Sequence, residues 1–168
     1  MKELFEKISS YNIFNNLLPG ILFVVISKYT TNYDFIQTDI VLGFFLYYFI
    51  GLIIGRIGSH IVESILKKIK FIHYAQFKNF IKAQQQDPKI DTLLEVSNTY
   101  RTLCTMSILL LLLKLYEHIS IKFYIDNTLT HILLIVSIIV LFLFSFRKQT
   151  DFIRKRVEFH TDNTRDEN

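Results

Sequence analysis

Eighteen consecutive residues, Leu129 to Phe146, contain no Asp, Glu, Lys or Arg. A helix needs ~20 mostly apolar residues to cross a hydrocarbon layer ~30 Å thick, with ~17 as the practical minimum. This run meets that requirement outright. Ile40 to Gly55 adds sixteen uncharged residues before Arg56 and nearly meets it. Ile13 to Tyr29 and Thr102 to Leu113 reach spanning length once Asn15, Asn16 and Lys114 are tolerated near their ends. A soluble bundle is the competing arrangement. A chain of 168 residues, however, cannot easily surround four uniformly apolar helices with polar cover. The runs predict an all-α four-helix transmembrane bundle, with spans near 13–29, 40–60, 102–118 and 129–146.

Charge placement orients that bundle. Sixteen of the nineteen lysines and arginines fall in 1–12, 56–101 and 147–168, leaving Lys28, Lys114 and Lys122 for the two outer connections. Basic residues concentrate on the cytoplasmic side of a membrane, so both termini are expected there. The net charge of +4 then requires no nucleic-acid partner. The single cysteine, Cys104, cannot form an internal disulfide and reads as a packing residue. Met1 to Ser10 carries Lys2, Glu3, Glu6 and Lys7 ahead of any apolar run, so no cleavable leader is expected.

Between and around the spans the chain divides into polar segments. Residues 1–12 place Leu4, Phe5, Ile8 and Tyr11 at helical spacing, which suits an amphipathic helix at the cytoplasmic interface. Spans 1 and 2 occupy 13–60, and spans 3 and 4 occupy 102–146. Helix 1 contains Asn15, Asn16, Pro19 and Gly20. Pro19 cannot donate to the Asn15 carbonyl, so a bend or a restart is expected there. The two asparagines then face protein or water, as a packing device or, less often, a pore lining. Residues 61–101 form a cytoplasmic helical region between helices 2 and 3. As single rods 61–86 and 89–101 would measure ~39 Å and ~20 Å, which do not match as a hairpin. A break near Lys70 to His73 resolves the mismatch, and the helix after Pro88 runs into span 3. Residues 147–168 form a basic tail whose Arg147, Lys148, Arg154, Lys155 and Arg156 suit anionic headgroups, with 161–168 expected to fray.

Two constellations stand out within the spans. Gly43, Gly51, Gly55 and Ser59 recur at multiples of four on one helical face. Small residues let membrane helices approach backbone to backbone, which makes this stripe a packing face, although glycine is also generally commoner in such helices. Arg56, His60 and Glu63 lie across the cytoplasmic mouth from Glu95, Asn98 and Arg101. Ionisable residues at this depth face the bundle interior and pair, Glu63 with Arg101 and Arg56 with Glu95 or Glu63. A structural clamp is the commonest use of such a set. A snorkelling Arg56 and a ligand or ion site remain the alternatives.

No nucleotide-binding loop, metal-ligand spacing, nucleophile elbow or redox motif occurs in the sequence. The reading is therefore of a protein with no catalytic residue, no metal and no cofactor. Asn15-Asn16-Leu17-Leu18-Pro19-Gly20 and Asn98-Thr99-Tyr100-Arg101 resemble small four-pass membrane proteins encoded in bacterial antiphage defence operons. The resemblance implies a homo-oligomeric effector of the bacterial inner membrane that makes the lipid bilayer leaky on a cytoplasmic signal. The signal would be a small ligand or a soluble cytoplasmic protein. The alternative is a non-conducting scaffold or sensor that recruits such a protein through residues 64–100. Cysteines introduced at Asn32 and Asn127 should label only from outside the cytoplasm. Labelling of either from the cytoplasmic side overturns the topology.

Overall fold

The computed structural model describes the backbone of residues 2–166 and the side chains of 13–161. Every regular element among them is helical: α1 (Lys2–Thr30), α2 (Ile40–Ile57), a π-helical turn (Gly58–Val62), α3 (Glu63–Lys68), α4 (Phe77–Gln86), α5 (Lys89–Phe123) and α6 (Asn127–Asp166). Four of these rods are long and apolar enough to cross a membrane: Ile13–Thr30, Ile40–Lys68, Lys89–Phe123 and Asn127–Thr161. They alternate in direction. The start of α1 meets the middle of α2 and the first half of α5, whereas the end of α1 meets the end of α5.

α1 continues through Pro19 instead of restarting there. Pro19 removes one backbone hydrogen bond, but Pro19 and Gly20 are both buried, and packing holds the weakened turn. Residues 2–12 are helical and continuous with the rest of α1. The amphipathic face expected from Leu4, Phe5, Ile8 and Tyr11 lies outside the described side chains.

α1 and α2 touch backbone to backbone. A Cβ placed on Gly51 would sit 1.6 Å from the Asn16 carbonyl oxygen, and one on Gly20 would sit 1.8 Å from that of Tyr47. No side chain fits at either position. α5 closes on the pair at Gly58, where a Cβ would lie 2.6 Å from Thr105 Oγ1. Val24, Ile54 and Met106 fill the space among these three helices, together with the fully enclosed Ser27, Thr102 and Thr105. Thr102 and Thr105 donate to the carbonyls of Asn98 and Arg101, both at 2.8 Å, so the enclosed hydroxyls are satisfied within their own helix.

α6 stands apart from this three-helix core. Within the spans it leans mainly on α2, with Phe49 and Phe142 stacked at 6.1 Å. Only 11% of its apolar window is buried. Its 40 residues extend ~60 Å, about twice the hydrocarbon thickness, so its second half projects beyond the spans. The segment past 161, expected to fray, is helical in backbone to Asp166, and its side chains lie outside those described.

The chain between α3 and α4 breaks where the length mismatch placed it. α3 ends at Lys68, Lys70 takes a left-handed φ of 58°, and α4 begins at Phe77. α4 then folds against the first half of α5 and the projecting half of α6. Ile81 is fully buried there and Phe159 is 4% exposed, with Phe77 and Phe152 edge to face at 5.6 Å. α4, the start of α5 and the end of α6 therefore form a small module with its own apolar centre.

Replacing Gly51 or Gly20 by Leu should lower stability in detergent by about 1–3 kcal/mol or more, the usual cost of overpacking. Gly55→Ala should be nearly silent, because the nearest foreign atom to its Cβ would be Asn16 Oδ1 at 3.8 Å. Thermal unfolding of the purified variants checks the ranking.

Candidate functional site

The polar cluster expected at one mouth of the bundle is present, but it is divided between two helix neighbours. Glu63 follows the π-helical turn and is 7% exposed. One carboxylate oxygen takes Lys67 Nζ at 2.7 Å and the other takes Arg101 Nη1 at 2.8 Å. This ties the α2–α3 rod to α5. A carboxylate with so little water is stable as an anion only with such partners. Arg101 Nε is buried without a hydrogen-bond partner among the described residues.

His60 lies three residues earlier and faces α6. Its Nε2 is 3.0 Å from Ser145 Oγ, and the Ser145 hydroxyl also donates to the Leu141 carbonyl at 2.8 Å. Lys148, one turn further along α6, donates to both the carbonyl and the hydroxyl of Ser59, at 2.8 and 2.7 Å. His60 and Ser59 together hold the point where α6 diverges from α2. Arg56, expected to reach Glu63 or Glu95, is exposed instead, and with Ser59, His60, Ser145, Lys148 and Gln149 it lines a small polar pocket.

The remaining expected residues take up other positions. Glu95 offers its carbonyl to the Thr99 hydroxyl at 3.0 Å, and Asn98 offers its own to Thr102. Thr99 is 3.4 Å from Asn15 Oδ1. This contact joins the Asn15–Gly20 and Asn98–Arg101 stretches, which are far apart in sequence. In the small-residue stripe, Gly51 makes the tight approach. Gly43 is covered by the ring of its own neighbour Tyr47 at 3.3 Å, Gly55 has room, and Ser59 serves as acceptor for Lys148. Asn16 meets α2 through its backbone. Arg154 and Lys155 both bind Asp151, at 2.6 and 2.7 Å. Arg147 and Arg154 line a wider cleft that opens beside His60, and Arg156 lines a separate shallow depression with His160.

Sequence reasoning missed Gly58, Ser145 and the latch at the opposite end of the bundle. There Glu117, 5% exposed, takes the Asn32 backbone N–H at 2.9 Å and Lys114 Nζ at 2.7 Å. Tyr116 bonds to the Thr130 hydroxyl, linking α5 to α6. In the α1–α2 connection Asp34 accepts from the Ile36 N–H and pairs with Lys28 at 3.2 Å, which holds its carboxyl below the usual range. A hydroxyl within an apolar run was the available signal for Ser145, and the seven-residue spacing from Gly51 was the signal for Gly58.

Among the described residues no group of His, Cys, Asp and Glu gathers at metal-binding distance. Comparison with protein-family models, with curated proteins and with solved structures finds no match.

Glu63→Gln should destabilise the bundle by about 1–3 kcal/mol, because it leaves Arg101 poorly compensated at a partly exposed site. Adding Arg101→Gln should restore part of the loss. A double-mutant cycle in detergent reads the coupling, and strict additivity would remove the clamp.

Proposed function

We propose that the chain is a multi-pass protein of the bacterial inner membrane, with both termini and α4 in the cytoplasm. In this reading several copies assemble into a gated pore that permeabilises the bilayer in antiphage defence. The observation that carries it is the continuity of α5 and α6. Each runs unbroken from a membrane-length apolar span into the module formed with α4. A ligand or protein that moves the module therefore moves two membrane helices without an intervening hinge. Rigid elements that pass between two environments are the physical means by which such coupling travels.

Two further features support the reading. Ser59, His60, Ser145 and Lys148 keep a polar pocket at the level where the spans meet the module. The α6 span leaves most of its apolar surface outward, available to neighbouring copies or to lipid. The bias of basic residues supports the orientation, and the resemblance of the Asn15–Gly20 and Asn98–Arg101 stretches supports the defence setting.

A second reading, a non-conducting scaffold, draws on one observation. Phe71, Leu93, Val96 and Tyr100 expose large apolar or aromatic surfaces around the module, 74%, 66%, 45% and 70% accessible, as a docking face for a soluble protein would.

Ile81→Asp separates the two. It places a carboxylate in the fully enclosed centre of the module, which costs several kcal/mol unless α4 leaves. The undocked module should raise ion flux from liposomes holding the full chain several-fold over the unsubstituted protein. Electrical silence of both forms, at any protein density that still reconstitutes, transfers the assignment to the scaffold.

A further inference from the structure

The mouth of the α2–α6 cleft joins a basic pocket to an apolar groove, and His60 lines both. The small polar pocket, about 100 Å³, has Arg56 and Lys148 on its wall. Beside it a wider cleft of about 770 Å³ adds Arg147 and Arg154. On the span side an apolar groove of about 550 Å³ runs between Ile53, Ile57 and Ile61 of the α2 rod and Leu134, Leu141 and Phe144 of α6. His60 borders all three spaces, and Phe144 borders both the wide cleft and the groove.

The charges at this mouth are not balanced within the chain. Four cationic side chains, Arg56, Arg147, Lys148 and Arg154, line the two polar spaces beside a single carboxylate, Asp151. Asp151 is engaged by Arg154 and Lys155, and Arg154 also reaches Glu158 at 3.9 Å. Arg56, Arg147 and Lys148 are therefore the lining cations left outside any ion pair among the described residues. Lys148 is held by two neutral oxygens of Ser59, and Arg56 is in no ion pair among the described residues. Arginine presents a planar fork that suits phosphate oxygens, and lysine adds a point charge. The missing counter-charge is therefore an anion at the level where the apolar spans end.

We propose that this cleft binds one anionic glycerophospholipid per chain, its phosphate between Arg56 and Lys148 and an acyl chain in the groove between α2 and α6. The inference is independent of conduction. It accounts for the loose seating of α6, since the lipid chain supplies apolar contact where α6 and α2 do not meet. It also explains the junction at His60, where the His60–Ser145 bond marks the boundary between headgroup and tail. A zwitterionic headgroup would bring its own cation against Arg147 and Arg154. A free phosphate would leave the groove empty.

The test uses the full chain, exchanged into a neutral detergent and offered phosphatidylglycerol, phosphatidylcholine or glycerol phosphate. Intact-complex mass spectrometry counts retained lipid, and thermal unfolding reads protection. One phosphatidylglycerol per chain should be retained and protective, whereas the other two at equal concentration should be neither. Juxtamembrane cations contribute about 1 kcal/mol each toward anionic lipid, so Arg56→Gln with Lys148→Gln should weaken retention about 30-fold. Leu141→Trp, which fills the groove and alters no charge, should weaken it as well, and it decides the question if the double variant does not fold. Equal retention of phosphatidylcholine, or undiminished retention by both variants, overturns the proposal. Full protection by glycerol phosphate alone reduces the cleft to a phosphate pocket and also overturns it.

Discussion

Two carbonyl oxygens set the arrangement of the bundle. Those of Asn16 and Tyr47 lie so close to Gly51 and Gly20 that no larger residue could stand opposite. Apolar side chains gain little by meeting one another in lipid, which is as apolar as they are. Helix association there depends on close van der Waals contact, and close contact depends on the absence of side chains. The α1–α2 pair is the tightest in the molecule for that reason. α5 then enters at Gly58 and Thr105 by the same means. Among the described residues α6 brings no comparable small-residue contact, and its span is the least buried of the four.

Shape complementarity fixes how near the helices lie, but it leaves their vertical register soft. Two buried carboxylates supply what is missing. Glu63 joins the α2–α3 rod to α5 at one end, and Glu117 joins the α1–α2 connection to α5 at the other. Each uses both oxygens, and each has a lysine on its own helix. α5 is therefore fastened near both ends of its span, and sliding it would strand Arg101 away from Glu63 at one end and pull Glu117 from the Asn32 N–H at the other. Stranding such a charge costs far more than a small shift in apolar packing does.

Much of this was legible in the residues. Uncharged run lengths give the four spans, and the mismatch between 61–86 and 89–101 gives the break before α4. The Glu63–Arg101 pair follows from two opposite charges on facing helix ends. The separation of Arg56 from Glu63 did not follow, because the phase of Glu63 relative to Arg56 depends on a π-helical turn with no sequence signature here. Pro19 suggested a bend or a restart of α1, and the helix does not restart there, with Pro19 buried against its neighbours. The docking of α4 onto α6 is a contact between residues 75 apart, Phe77 and Phe152. Local periodicity carries no information about such pairs.

The π-helical turn has a consequence beyond local geometry. The Glu63 N–H reaches back five residues, to the Gly58 carbonyl, instead of four. A turn of this kind is an α-helix that has absorbed one additional residue, so everything after it is rotated by about 100° relative to an unbroken helix. That rotation lets His60 address α6 while Glu63 addresses α5. Deleting one residue between Ile57 and Glu63 would leave a regular helix of nearly the same length and composition. It would also turn Glu63 away from Arg101. In evolutionary terms a single codon inserted into an ordinary span could have produced a helix with two differently addressed polar faces, and descendants without it would look alike in hydropathy while having lost the division.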